Sequence, residues 1–407
     1  MTQYEDTRKV SKALFQKASQ VMPGGDTRSV TYFEPYPSFM VSGSGCRIQD
    51  ADGNVYIDFL NNYTSLILGH AHPEIVTAVI DRVKKGSVFP APTEEQVMLA
   101  EMITKRVKSC NLVRFCNSGS EANIQVVRAA RAHTKREKVV TICGGYHGGF
   151  DFKNFIGIPF NDLEKAEETI REYRNEIACV IVEPVLGKGM IPAEKDFLHL
   201  LRELTADFDI VFVLDEVVTF RLDTGGAQAV YNVKPDMTTL GKLIGGGFPV
   251  GAFGGREDLM MLFSPQNEEF IHHSGTFNGN PVTMTAGLET LKILDSQAIE
   301  RLNEMGDLLR ENLNKTLEDM NVCVSGMGSL LHFHFAREPA SNAEEFERQN
   351  RQRFSQLHMR MLTNRVYMAP GGMFNVSLAI GEEETEKFLK TAEKVIPHII
   401  NSSFSQM

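Results

Sequence analysis

The chain has few features suited to a membrane, a nucleic acid or an oxidising compartment. Its apolar runs are about a strand in length, too short to cross a bilayer. Positive charge is in deficit, with 42 Lys and Arg against 52 Asp and Glu and a formal net charge of −10. That balance argues against nucleic acid or an anionic membrane as the main partner. The six cysteines, Cys46, Cys110, Cys116, Cys143, Cys179 and Cys323, form no CxxC pair, and four sit in or beside apolar strand-like runs. They read as buried free thiols in a reducing cytosol, which disfavours disulfides and a metal centre. The first 22 residues are polar and charged, without the apolar stretch of a signal peptide, so a cytoplasmic protein is expected. Leu14, Ala18 and Val21 instead fall on one helical stripe. Internal repeats and low-complexity segments are missing.

What is present is a two-domain pattern. At 407 residues the chain exceeds one ordinary core. From about residue 97 to 255 strands and helices alternate. Strands are expected at Leu112–Cys116, Val139–Cys143, Ala178–Val182 and Ile210–Leu214. Helices are expected at Glu121–His133, with Ile124, Val127 and Ala130 on one side, around Leu163–Tyr173, and at Phe197–Leu204. Strand runs apolar on both faces, separated by helices, predict an α/β architecture with a mostly parallel sheet covered on both sides. Outside this core, residues 37–60 carry short strands around the turn Asp50–Asn54, and 282–320 is a long helical stretch. Strands at Ser329–Phe335 and Val376–Ala379 then mix with helices at Ala343–Asn364 and Glu382–Ile400. This suits a smaller α+β domain. The expected division is an N-terminal segment, 1–60, packing with the small domain, a large domain over 61–290, and the small domain over 291–407.

One lysine stands out. Lys242 lies between an apolar approach, Thr238-Thr239-Leu240-Gly241, and the triplet Gly245-Gly246-Gly247, and Asp215 closes the upstream apolar run Ile210–Leu214. A lysine for a Schiff base and an aspartate for a pyridinium nitrogen are what a pyridoxal phosphate (PLP) enzyme needs most. Asn117-Ser118-Gly119-Ser120-Glu121-Ala122-Asn123 joins a strand to a helix, where small residues, hydroxyls and free N–H groups can hold a phosphate; a simple capped helix start reads the same way. Gly144-Gly145-Tyr146-His147-Gly148-Gly149 places an aromatic between glycines, either against a flat ring or on an exposed turn. Val217, two residues after Asp215, projects to the same side, and Glu216 points away. Glu183, after a buried-type strand, borders the same pocket or forms a salt bridge or cap. Thr276, in Ser274–Pro281, is a further phosphate donor or part of a helix cap.

In this order the motifs resemble the class III, fold-type I PLP aminotransferases, from about Pro23 to Ala379. The resemblance implies a large PLP-binding domain, a smaller α+β domain and a homodimer with shared active sites. Lys242 would carry PLP, and Asp215 would keep its ring nitrogen protonated. Tyr146 and Val217 would sandwich the ring. Ser118, Gly119 and Ser120 would hold the phosphate, with Thr276 reaching it from the neighbouring subunit. His147 and Glu183 are assigned to the same cofactor site. No metal is implied: His332 and His334 alternate on a strand, but no further ligand is evident, and His70 and His72 are judged alike. The implied function is ping-pong transfer of an amino group from an amine or β-amino acid donor to a keto acid or aldehyde. The alternatives are intramolecular transfer of the glutamate-1-semialdehyde 2,1-aminomutase kind and an amino-sugar or secondary-metabolite aminotransferase.

Within class III, Pro23-Gly24-Gly25 and Gly69-His70-Ala71-His72-Pro73-Glu74 resemble both the aminomutases and the β-amino-acid aminotransferases. Gly25-Asp26-Thr27-Arg28-Ser29-Val30 and Thr219-Phe220-Arg221-Leu222 resemble the second group, which implies that Arg28 binds a substrate carboxylate; Arg221 is a further candidate. The loop Ala369-Pro370-Gly371-Gly372-Met373-Phe374-Asn375 lacks both the acidic residue expected of an aminomutase and the second arginine of the β-amino-acid enzymes. The segment 149–159 is shorter than in either group. Tyr32, Phe33, Tyr63 and Phe89 are candidate pocket aromatics or ordinary core.

Overall fold

The computed structural model describes residues 2–149 and 154–401. The chain divides into two compact units, each assembled from separate stretches.

The unit formed by Pro73–Asn303 and Ala340–Phe346 holds a seven-stranded sheet. Its order is Leu112–Cys116, Gly251–Gly255, Met237–Gly241, Val211–Asp215, Ile177–Val182, Lys138–Ile142, Phe155–Ile158. The last five strands pair in parallel; Gly251–Gly255 runs antiparallel to both its neighbours. Every residue of Ile177–Val182 and Val211–Asp215 is buried, as strands covered on both faces require. The helix Gly119–Thr134 lies over the sheet and shares one core cluster with it: Ala122, Val126, Val127 and Ala130 pack with Val139, Ile181, Val213 and Phe253. Its buried face is turned from the expected stripe, and Ile124 is only partly buried.

The strand Gly251–Gly255 carries no apolar run by which to be recognised. Its glycines are there for clearance. A β-carbon at Gly251 would stand 2.0 Å from the Ser118 carbonyl oxygen, and one at Gly255 2.4 Å from that of Asp236.

The other unit comprises Met1–His72, Glu304–Pro339 and Glu347–Met407. The boundaries therefore fall at 72/73 and 303/304 where 60/61 and 290/291 were expected, and 340–346 belong to the sheet unit. The N-terminal strands Met40–Ser44, Arg47–Asp50 and Val55–Asp58 form a sheet completed by Val366–Tyr367, and Cys323–Met327, Leu330–His334 and Met373–Asn375 form a second, antiparallel one.

Several sequence expectations need correction here. Val376–Ala379 is not a strand. The ladder ends at Asn375, after which the Val376 N–H donates to the Ser329 carbonyl and the Leu378 N–H to that of Ile67, so these donors serve loops. The stretch 282–320 is two helices, Pro281–Ile293 and Ser296–Leu317, the second started by Asp295 accepting the Ala298 N–H. Ala343–Asn364 is likewise two, Ala343–Glu347 and Arg351–Thr363, because Asn350 caps the second. Val21 lies beyond the helix Lys9–Ala18 and is 79% exposed. Among the described residues no helix is long and apolar enough to cross a membrane.

Candidate active site

The site is built at the ends of parallel strands, where an α/β sheet presents its ligand-binding groups. Asp215 ends its strand and is 4% exposed. Its Oδ2 accepts from Asn123 Nδ2 at 2.7 Å and pairs with His147 Nδ1 at 2.8 Å, and its Oδ1 accepts the Val217 N–H at 3.1 Å. Burial opposes a charge on His147, but the Asp215 hydrogen bond and the charges of Asp215 and Glu183 outweigh it and raise the imidazole's proton affinity. Glu216 turns away, as expected. It is fully buried and accepts from the Ala227 and Gln228 N–H groups, Gln228 Nε2 and the Thr219 hydroxyl.

Val217 ties the motifs together. A β-carbon at Gly119 would lie 2.8 Å from Val217 Cγ2, and one at Gly241 would lie 3.3 Å from Cγ1. The phosphate-loop candidate, the residue after Asp-Glu and the residue before Lys242 therefore meet at one point. Ser118 is the N-cap of Gly119–Thr134: its Oγ accepts the Glu121 N–H at 3.1 Å, while Glu121 Oε2 accepts the Asn117 N–H at 2.9 Å. The capping and phosphate-holding readings are compatible, because the cap uses a lone pair of Ser118 and leaves its O–H as a donor beside the free N–H groups of the first turn.

Lys242 follows the strand Met237–Gly241 with φ +49°, a left-handed conformation costly for a residue with a β-carbon. The residue is partly exposed, yet its amine is densely surrounded. Burial pushes the ammonium down to about 8, helped by the charge of Arg221 and opposed by Asp215 and Glu183. Glu183 directly follows Ile177–Val182 and is 5% exposed. It accepts the Tyr146 N–H at 2.9 Å and the Gly187 N–H at 3.2 Å, which fixes the backbone of the Tyr146 loop and leaves that ring exposed.

Two assigned residues, Thr276 and Arg28, have neighbours of their own. Asn117 Nδ2 donates to Asn278 Oδ1 at 2.8 Å, which ties the phosphate loop to the 274–281 segment. Thr276 itself is exposed. It lines a cleft of about 1040 Å³ with Phe89, Gln96, Arg114 and Asn280, and that lining contains none of Ser118, Asp215 or Lys242. Arg28 belongs to the other unit, where it is exposed and donates from Nη1 to Asn62 Oδ1 at 2.8 Å, with its guanidinium 5.8 Å from the Tyr63 ring centroid. Arg221 is 1% exposed, and burial lowers its guanidinium to about 9.

Of the candidate aromatics, Phe33 is core, packed with Tyr4 and Tyr36, whereas Tyr32 and Phe89 are exposed. His332 and His334 are buried with ring centroids 5.7 Å apart, and among the described residues no group of three metal-ligating side chains occurs. All six cysteines are free; Cys143 is exposed where burial was expected. Part of the 149–159 segment lies outside the described residues.

Asn123, the last residue of the phosphate-loop motif, has no role that the sequence alone reveals. Its signal was a polar residue on the buried face of a helix. Its side chain donates both to Asp215 and to the His147 carbonyl oxygen.

The model of the class III aminotransferases matches residues 31–153 and 156–396. The chain belongs to that family. It is a pyridoxal-phosphate-dependent enzyme of fold type I. Among curated proteins it is 39% identical to a glutamate-1-semialdehyde 2,1-aminomutase of Methanothermobacter thermautotrophicus, over 96% of this chain and all of the relative. Among solved structures it resembles an omega-transaminase from Sphaerobacter thermophilus, at 37% identity and a TM-score of 0.93, covering 96% of this chain and 97% of the other. It also resembles a β-phenylalanine aminotransferase from Variovorax paradoxus, at 35% identity and a TM-score of 0.96, covering 99% and 96%.

The residues of this class III enzyme fit the family's cofactor. A buried carboxylate, a lysine of lowered proton affinity and a helix start with free donors surround Val217, and the flanking glycines leave no room for a β-carbon. His147 Nε2 is buried with no partner among the described residues.

Proposed function

We propose that this enzyme shifts an amino group between adjacent carbons of a single substrate, in the manner of a glutamate-1-semialdehyde 2,1-aminomutase. The observation that carries the reading is the 39% identity to such an enzyme over the full length of that relative. When bound, PLP supplies an electron sink for the carbon that loses a proton. Lys242 would hold the coenzyme, then act as base and acid: with its amine lowered to about 8, a useful fraction is unprotonated near neutral pH, and it takes a proton from the amine-bearing carbon and returns it at a neighbouring atom. Asp215, oriented by Asn123 and His147, would face the ring nitrogen. Tyr146 and Val217 would cover the two ring faces. Ser118, Gly119 and Ser120 would hold the phosphate. Arg28, exposed and aimed by Asn62, would bind a substrate carboxylate.

Transamination between an amine or β-amino acid and a keto acid is the second reading. It is favoured by the two solved transaminases at 37% and 35% identity and by the absence of an acidic side chain from the loop 369–375. A cytoplasmic homodimer goes with either reading. Support for the dimer comes from Thr276, exposed in a cleft whose lining omits Lys242 of the same chain, as a residue serving a neighbouring site would be.

One experiment separates the two readings. Holoenzyme is given glutamate-1-semialdehyde alone, then a panel of β-amino acids and amines with and without pyruvate or 2-oxoglutarate. Formation of the 2,1-shifted isomer without added keto acid is the expected result. Turnover that occurs only when donor and keto acid are both present would replace the first reading with the second.

A further inference from the structure

The stretch Gly69-His70-Ala71-His72 is a marked feature of the sequence that the chemistry above does not use. His70 pairs its Nε2 with Asp58 Oδ2 at 2.7 Å. Asp58 ends the strand Val55–Asp58 and is 3% exposed. Its Oδ1 accepts the N–H groups of Leu60 and Asn61 at 2.8 and 2.9 Å. A buried carboxylate is costly unless its oxygens are engaged, and the imidazole supplies the contact at Oδ2. His70 is itself held in place. Its backbone exchanges two hydrogen bonds with Gly45, at 2.7 and 2.9 Å. Its ring lies against Gly43, where a β-carbon would stand 2.7 Å from the ring Cγ. The strand Met40–Ser44 thus places a glycine where the imidazole must pass, and the ring has little room to swing away from Asp58.

What Asp58 holds is the start of the left-handed turn Asn61–Thr64. Successive non-glycine residues at positive φ persist only where their surroundings over-determine them. Asp58 fixes the N–H groups of Leu60 and Asn61, and the Asn375 amide adds a bond to the Leu60 carbonyl at 2.7 Å. The next two residues of the turn reach the segment 28–30. Asn62 Oδ1 accepts from Arg28 Nη1 at 2.8 Å, and the Tyr63 hydroxyl donates to the Val30 carbonyl at 2.5 Å. The turn is therefore anchored to a buried acid at its start and to an exposed arginine and its loop beyond. All of these residues belong to one compact unit. A guanidinium in water has many rotamers open to it, so its aim depends on how firmly its acceptor is placed.

We propose that His70 is a positioning residue for substrate recognition: by holding Asp58 it fixes the turn whose Asn62 aims Arg28 at a substrate carboxylate. The inference rests on Arg28 binding that carboxylate and holds for either reaction. Histidine suits the place because its ring reaches the acid through a side chain of only two torsions, which loses little freedom when fixed. Without the contact Asp58 is free to turn, its hold on the Leu60 and Asn61 N–H groups loosens, and Asn62 drifts. The effect falls on carboxylate binding and not on the proton transfers assigned to Lys242.

The test compares wild type, His70→Phe, His70→Gln and Arg28→Ala as holoenzymes. Phenylalanine keeps a ring and removes the nitrogen, whereas glutamine keeps an amide within reach of Asp58. Two quantities are measured: amide hydrogen exchange of the peptide spanning 59–66, and the apparent Kd of a carboxylated and of an uncharged amine, read from bleaching of the coenzyme absorbance. His70→Phe is expected to speed exchange across 59–66 and to weaken the carboxylated amine by about 3- to 10-fold, with the uncharged amine and the bleaching rate at saturation near wild type. His70→Gln is expected to bring both quantities back to within about two-fold of wild type. Unchanged exchange in the Phe variant would overturn the proposal. So would faster exchange with an unchanged preference for the carboxylated amine, in a protein whose Arg28→Ala variant loses that preference. Should Arg28→Ala itself leave the preference intact, the carboxylate reading of Arg28 falls and takes the recognition role of His70 with it. If the Phe variant does not fold, His70→Asn, too short to reach Asp58, is judged by the same two measurements.

Discussion

Each compact unit contains left-handed backbone at residues other than glycine, in opposite settings. In the sheet unit several isolated residues adopt it, among them Lys242, which holds φ +49° at a strand end crowded with buried charge. In the other, four successive residues, Asn61 to Thr64, hold φ of 48°, 47°, 54° and 76° beside the exposed Arg28. At Lys242 the strain is confined by a rigid sheet, and the surroundings alter the chemistry of the residue: its ammonium is pushed down to about 8. At Asn61–Thr64 the strain is held by polar contacts. Leu60 and Asn61 donate their N–H groups to Asp58, Asn61 donates its amide to Asn375, and the Tyr63 hydroxyl donates to Val30. The first arrangement suits reaction chemistry, which needs perturbed proton affinities in a shielded place. The second suits recognition, which needs a charged group in water and aimed.

The sharpest test of this contrast is Lys242→Ala. Turnover is expected to fall by at least about 10³-fold, since in the proposed function one side chain would both hold the coenzyme and move the proton. Borohydride reduction followed by peptide mass analysis should find the pyridoxyl label at position 242 in wild type and nowhere in the variant. Asp215→Asn should follow, at about 10²- to 10³-fold in kcat. Its coenzyme should still bind through the helix start, and a kcat within a factor of two of wild type would remove Asp215 from the ring nitrogen.

Most of the first region was legible in the sequence and little of the second was. Continuous apolar runs marked the buried strands, and two of the candidate site residues sit where those runs stop: Glu183 after Val182, Asp215 after Leu214. Lys242 is one step beyond Gly241. Such positions are fixed by chain order alone. The strand Gly251–Gly255 escaped because its residues are chosen for the backbone that must pass close to them, and this leaves no hydrophobic signature. The role of Asn123 depends on a contact 92 positions along the chain to Asp215, which no local pattern contains. The left-handed turn depends in part on carbonyls remote in the chain, those of Asn375 and Val30, and Asn61-Asn62-Tyr63-Thr64 carries no glycine to announce it.

Burial also perturbs two histidines in the second unit, His332 and His358, where chemistry is not expected to use them. His358 is 1% exposed, lies 4.4 Å from the Phe33 ring between centroids and pairs its Nδ1 with the Met368 carbonyl oxygen; burial lowers its proton affinity to about 4. The unfolded chain binds that proton near pH 6.5, so between about 6.5 and 4 the unfolded state holds more protons and stability rises with pH. Acidification through that window should cost about 3 kcal/mol at most. Chemical denaturation of wild type and His358→Gln at pH 7 and pH 4.5 measures it. The variant should lose less on acidification, and equal losses would mean that His358 does not contribute.

The smallest effects should come from the turn itself. Arg28→Ala is expected to raise KM for carboxylated substrates by about 10- to 100-fold, the equivalent of one charged hydrogen-bonded contact, and to change uncharged amines little. An equal loss for both classes would take Arg28 out of substrate recognition. Asn62→Gly separates aiming from strain. Glycine accepts φ +47° without penalty, which recovers up to about 1 kcal/mol, while the exposed hydrogen bonds to Arg28 and to the Ser65 hydroxyl that are lost together contribute a similar amount. Denaturation midpoints should therefore hardly move, but KM for a carboxylated substrate should rise a few-fold because the guanidinium is no longer aimed. A large stability change with unaltered KM would show that the left-handed turn serves the fold alone.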